Sequence, residues 1–146
     1  MRILGIDYGE KKIGVAISDE SAKFAFPHAV IDNISTCDVG IEIKKICDKN
    51  NIGKIVIGQS LDFKNQPNPI MKRIEKFKSF LEEKLKIPVE YENEILTTRQ
   101  AKRLLESSVR GKQARPKKEA RFKNEKIHAS AAALILQSYL DRQNMV

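Results

Sequence analysis

Met1-Arg2-Ile3-Leu4-Gly5-Ile6-Asp7-Tyr8-Gly9, followed after Glu10-Lys11-Lys12 by Ile13-Gly14-Val15-Ala16-Ile17-Ser18, decides how this chain begins to fold. Two apolar, strand-like runs flank a short polar connection that contains glycine, the pattern of a β-hairpin. The hairpin holds Asp7 just before the bend. An ionised carboxylate on an otherwise apolar strand is costly unless a cation or hydrogen-bond donors compensate it. Asp7 is therefore either a structural residue beside a turn or the first member of a functional site.

Outward from the hairpin, Phe24 to Ile31 reads as a third strand, with Pro27 suited to a sheet edge. A helix fits Asp38 to Lys49, placing Val39, Ile43, Ile46 and Cys47 on one face. Lys54-Ile55-Val56-Ile57-Gly58 is short and continuously apolar, as a buried central strand requires. Asn68 as cap and Pro69 at the first helical position open a second helix, striped by Ile70, Ile74, Phe77, Leu81 and Leu85 and stopped before Pro88. Val89 to Glu94 is a fifth strand. Thr97 with Gln100 forms a capping-box pattern for a helix burying Ala101, Leu104 and Leu105. Glu125 to Arg142 is a final helix rich in alanine and leucine.

Early strands joined by short turns pair antiparallel, whereas later strands joined by helices need right-handed crossovers and lie parallel. The expected fold is α/β: a mixed five-stranded sheet flanked by helices, in one domain over residues 1–146. No run approaches the roughly 18 apolar residues of a membrane span, and no signal-peptide pattern opens the chain. Cys37 and Cys47 have neither metal-ligand spacing nor a redox motif, and only His28 and His128 could join them. A Cys/His zinc site is therefore not expected, and reduced thiols suit a cytoplasmic protein without membrane contact.

The net charge of +8 is concentrated. Arg110, Lys112, Arg115, Lys117, Lys118, Arg121, Lys123 and Lys126 face only Glu119 and Glu125 in the same stretch. Gly111 and Pro116 interrupt it, so a flexible basic loop between two helices is expected. Such a run is either a solvated surface or an electrostatic contact to phosphate backbones, which gives affinity and orientation but little sequence information.

Two further positions bear on Asp7. Glu94 ends the fifth strand, and ligands of open α/β sheets gather at the carboxyl ends of strands. If the strands are near neighbours, the two carboxylates repel unless divalent cations neutralise them, and hard cations such as Mg²⁺ or Mn²⁺ take oxygen ligands of this kind. His128 lies one turn before Ala131, Ala132 and Ile135, on the side expected to face the core, with Glu125 three residues earlier. A histidine there is either a hydrogen-bonded core residue or a ligand brought toward the strand ends by a close-packed helix.

Gly5-Ile6-Asp7-Tyr8-Gly9 with Lys12-Ile13-Gly14-Val15-Ala16-Ile17-Ser18-Asp19 resembles the opening of the YqgF family, also called RuvX-like. Its members are assigned to Holliday-junction resolution or pre-16S rRNA processing. The run from Ala131 to Asp141 is similar to that family's closing helix, and Asn93-Glu94-Ile95-Leu96-Thr97-Thr98 to its Asp-Glu-Arg-Leu-Ser/Thr-Thr segment. The resemblance spans nearly the whole chain and implies a ribonuclease H-like fold. It implies that Asp7 and Glu94 are catalytic, metal-binding carboxylates. The family's third carboxylate, an Asp on the last helix, is replaced by His128. Asn93 stands for its Asp, Ile95 for its Arg, and Gly58-Gln59-Ser60 for its Gly-Leu-Pro.

The implied activity is metal-dependent phosphodiester hydrolysis in structured RNA or branched DNA, with Asp7, Glu94 and His128 as ligands and Glu125 nearby. Neutral imidazole binds divalent metals, and its softness favours Mn²⁺ over Mg²⁺. The basic residues from Arg110 to Lys126 would hold flanking phosphates. A homodimer would suit paired incision of a four-way junction. The exchange of Asp for His keeps a rival open, a nucleic-acid-binding factor of the same fold with weak or no cleavage. Gly-Ile-Asp-x-Gly also opens sugar kinases and actin-like ATPases, a third reading disfavoured because those clamp a nucleotide between two such domains and no Gly-x-x-x-x-Gly-Lys loop is present. ATP binding would test it.

Overall fold

The computed structural model describes residues 1–59, 70–93 and 117–145, with residues 117–126 as backbone alone. Five strands and three helices lie within them: β1 (Arg2–Tyr8), β2 (Lys12–Ser18), β3 (Ala25–Asp32), α1 (Thr36–Asn50), β4 (Ile52–Gln59), α2 (Ile70–Leu85), β5 (Val89–Asn93) and α3 (Lys117–Asn144). The sheet order is β3-β2-β1-β4-β5, antiparallel across β3, β2 and β1 and parallel across β1, β4 and β5. This is the mixed sheet expected from the spacing of apolar runs.

The two crossovers, β3 to β4 through α1 and β4 to β5 through α2, step across the sheet in one direction. One hand of connection then puts both helices on one face. They share a core with Leu4, Ile6, Ile13, Val15, Ile55 and Ile57, to which α1 adds Val39, Ile43 and Cys47. The α2 stripe is Met71, Ile74, Phe77 and Leu81, with Ile70 and Leu85 partly buried beside it. Each fully buried aliphatic side chain contributes roughly 1.5–3 kcal/mol, so this layer dominates the apolar stabilisation. Ser35 caps α1, its Oγ accepting from Asp38 N at 3.1 Å. The helix ends on Asn51 in a left-handed conformation.

On the opposite face α3 is the one helix among the described residues, packing through Ala132, Ile135, Leu136, Tyr139 and Leu140 against Ile3, Ala16 and Val56. Its helical span corrects the sequence expectation, because Lys117 to Asn124 continue it and do not belong to a loop. Pro116 stands immediately before the first helical residue.

Pro27 sits in β3, an outer strand as expected. Val15 pairs with Ala29 and Ala16 with Pro27, so His28 is an extra residue in a bulge. Among the described residues no helix is long and apolar enough to cross a membrane.

Candidate active site

Asp7 lies next to last in β1, paired across the hairpin with Gly14. Alternation puts Gly5 and Asp7 on the face covered by α3. The helix comes unusually close there. A Cβ on Gly14 would overlap the carbonyl of His128 and stand 3.1 Å from the Ala129 nitrogen; one on Gly5 would be 2.7 Å from Leu136 Cβ. Absent side chains on the sheet thus let the helix backbone settle onto it, and that approach carries His128 to Asp7.

The Asp7 side chain is only 7% exposed, and its Oδ2 lies 3.9 Å from His128 Nδ1. That separation is too long for a hydrogen bond. The buried Nδ1 has no hydrogen-bond partner among the described residues. A small divalent cation held at about 2.0–2.2 Å from each donor atom can span such a gap. An orphaned imidazole nitrogen facing a buried carboxylate therefore fits a metal. The described residues contain no cluster of three or more His, Cys, Asp or Glu side chains that could hold one.

Glu94 lies outside the described residues, as do Arg110, Lys112 and Arg115. Lys117, Lys118, Arg121, Lys123, Glu125 and Lys126 belong to α3, where only the backbone is described. Ile6 pairs with Ile57, and Ile57 with Tyr91. Thus β5 ends at the same end of the sheet as Asp7, but β4 intervenes. Two strand spacings make roughly 9.5 Å between the β1 and β5 backbones, a gap that side chains and any shared ions would have to bridge.

Glu92, two residues before Glu94, is a carboxylate that sequence reasoning missed. It is 4% exposed beneath α3. Arg142 Nη2 approaches its Oε2 to 2.7 Å, off the direction of a good hydrogen bond, and Ser138 Oγ lies 3.5 Å from Oε1. Burial pushes its carboxyl above the usual range, with Arg142 and then Ser138 opposing the rise. Beside it, Tyr139 donates to Glu90, and Lys54 Nζ lies 3.1 Å from the Tyr139 hydroxyl. These contacts tie β5 and β4 to the last turns of α3. The signal available was Ser138 and Arg142 at helical i, i+4 spacing; nothing in the alternation of Glu90, Glu92 and Glu94 separates a buried carboxylate from solvated ones.

A raised folded-state value means that Glu92 contributes stability that is full below its unfolded value and fades as pH rises through the folded one. Thermal melts between pH 4 and pH 8 should therefore show an acid-side gain in the wild-type protein that Glu92→Gln lacks. Parallel pH profiles for the two proteins would mean that Glu92 is not desolvated in solution.

The sequence model of the family described as "RuvX: Holliday junction resolvase" matches residues 1–142. A relative from Caldanaerobacter subterraneus subsp. tengcongensis is 38% identical over 143 residues, 98% of each chain. One from Syntrophomonas wolfei is 34% identical over 97% of this chain and 94% of its own. Both bear the name "Putative pre-16S rRNA nuclease". Among solved structures, Thermus thermophilus RuvC in complex with a Holliday junction substrate aligns with a TM-score of 0.59 at 16% identity, over 99% of this chain and 97% of that one. The fowlpox virus resolvase with Holliday junction DNA aligns at 0.54 and 15%, covering 99% of both chains. At such identities the structural matches speak for the fold, which is ribonuclease H-like.

Proposed function

Because this chain belongs to the RuvX family, we propose that it is a divalent-metal-dependent endonuclease hydrolysing phosphodiester bonds of structured nucleic acid, as one domain over residues 1–146. The observation that carries the reading is the buried Asp7 carboxylate facing the unpartnered Nδ1 of His128. The favoured substrate is the 16S rRNA precursor, named for relatives at 34% and 38% identity. Holliday junction DNA is named for structural neighbours at 15% and 16% and carries less weight.

Asp7, Glu94 and His128 are the proposed metal ligands and catalytic residues, with Glu125 close by in sequence to add charge. A bound divalent ion supplies charge neutralisation at the phosphate and an acidified water. The protein fixes Asp7 by β1 pairing and His128 by the close seating of α3, so neither donor needs to reorganise. Arg110, Lys112, Arg115, Lys117, Lys118, Arg121, Lys123 and Lys126 would hold flanking phosphates, the last five from α3. A monomer suffices to cut RNA; paired junction incision would call for a homodimer.

Imidazole in place of a carboxylate makes the donor set softer and less negative. Cleavage is therefore expected to run faster with Mn²⁺ than with Mg²⁺ at matched concentration, and His128→Asp should reverse that order. Faster cleavage by the wild-type protein in Mg²⁺ would remove His128 from the ligand set.

The binding-only reading gains support from the same imidazole, which leaves one carboxylate fewer for the metal. A cleavage assay on precursor rRNA fragments, junction DNA and single strands, with both metals, separates the two. Tight, salt-sensitive binding without any cut product would replace the nuclease with a binding factor.

A further inference from the structure

Lys12 opens β2, on the same face and at the same end of the sheet as the Asp7–His128 pair. Asp7 pairs with Gly14, and Lys12 is two residues from Gly14 along the strand, so their side-chain directions agree. The diagonal neighbour of a paired residue lies about 7–8 Å away between Cα atoms. Lys12 is thus a short step from Asp7, on the β3 side of it.

The ammonium is held in place. Lys12 pairs in register with Asp32 of β3 and forms an ion pair with its carboxylate. Its side chain is 24% exposed, against 59% for Asp32. The connection leading into Lys12 is fastened by Asn33, whose backbone nitrogen donates to Lys11 O and whose Nδ2 donates to Gly9 O, both at 2.9 Å. A cation on a fixed stem beside a phosphate-cleaving site acts before any loop has to order, whereas an exposed lysine loses side-chain entropy on binding.

We propose that Lys12 contacts the phosphate next to the one cleaved, on the β3 side. The proposal rests on the nuclease reading for the identity of the ligand, a phosphodiester strand. The bland alternative is a cross-strand ion pair that only staples β2 to β3, a role worth about 0.2–1 kcal/mol and silent toward nucleic acid.

Wild-type protein, Lys12→Ala, Lys12→Arg and Asp32→Asn would be titrated with a labelled rRNA-precursor hairpin in EDTA across a range of salt concentrations. Cleavage kinetics with Mn²⁺ would follow. Losing one phosphate contact lowers the salt slope by roughly 0.7–0.9, so Lys12→Ala should show that drop together with a KM raised roughly tenfold, the drop expected at moderate salt for one lost charge contact. Lys12→Arg should keep the wild-type slope, and Asp32→Asn should keep or steepen it, because the cation remains. A wild-type slope and KM in Lys12→Ala would overturn the proposal. So would an Asp32→Asn protein that loses the same increment of slope, since then the pair matters and not the cation. Asp32→Asn also decides the matter if Lys12→Ala fails to fold. Salt-sensitive binding by a wild-type protein that cuts nothing would sink the nuclease reading while the EDTA slopes still test Lys12.

Discussion

Gly14→Ala is expected to unseat α3 and lower kcat about a hundredfold, although it adds one methyl group. Alanine in place of a strand glycine ordinarily gains about 0.5–1 kcal/mol from reduced chain entropy. At this position the new Cβ would overlap the His128 carbonyl and press on the Ala129 nitrogen. Those are backbone atoms of a long helix, and no rotamer change relieves them. Overpacking of this kind costs about 1–3 kcal/mol, so destabilisation should win, read as a lowered urea midpoint. The residue displaced is His128, and a shift of about 1 Å at reacting groups can cost roughly 10²-fold in rate. A Gly14→Ala protein with the wild-type midpoint and kcat would show that α3 does not sit as closely as described.

Asp7→Asn has the second large expected effect and separates metal binding from folding. In the wild-type protein, Mn²⁺ at a hundred times its Kd should add about 2.7 kcal/mol of stability, roughly an 8 °C rise in Tm for a chain of this size. The Asn variant keeps side-chain volume and loses the anionic oxygen that faces His128, so this rise should vanish. Cleavage should fall at least about 100-fold, the scale for losing one preorganised electrostatic group. Retained cleavage with a retained metal shift would move the site elsewhere. A retained shift without cleavage would leave Asp7 in the chemistry and out of the metal's hold.

Much of the fold was legible because it is written in short-range patterns. Apolar runs on either side of Gly9 to Lys12 specify the hairpin, and Ile55 to Ile57 specify a strand buried on both faces. The α2 stripe was readable apart from Met71, which lies one position from the expected Ile70 and takes the deeper place. Asp7 and His128 were each identifiable as candidates, but their approach depends on Gly5 and Gly14 meeting a helix more than a hundred residues later. Local periodicity holds no such information. The start of α3 was misplaced for another reason: Gly111 and Pro116 interrupt the basic stretch and argued for a loop up to Lys126, although the residues from Lys117 onward contain no helix breaker. Glu92 was invisible because burial of one face of β5 is imposed by Ser138, Tyr139 and Arg142.

The arrangement of α3 also sets the order in which Asp7 and His128 are brought together. Synthesis proceeds at about 5–20 residues per second from the N-terminus, so β1, β2 and β3 and both crossovers leave the ribosome before the final helix. During that interval Ile3, Ala16 and Val56 lack their cover, and Asp7 has no histidine opposite it. Gln137 then ties α3 to the segment entering β3, accepting from Ala25 N at 2.9 Å and donating to Lys23 O at 2.9 Å. On the nuclease reading, Asp7 and His128 cannot meet until α3 docks, so cutting competence would arrive only with that step.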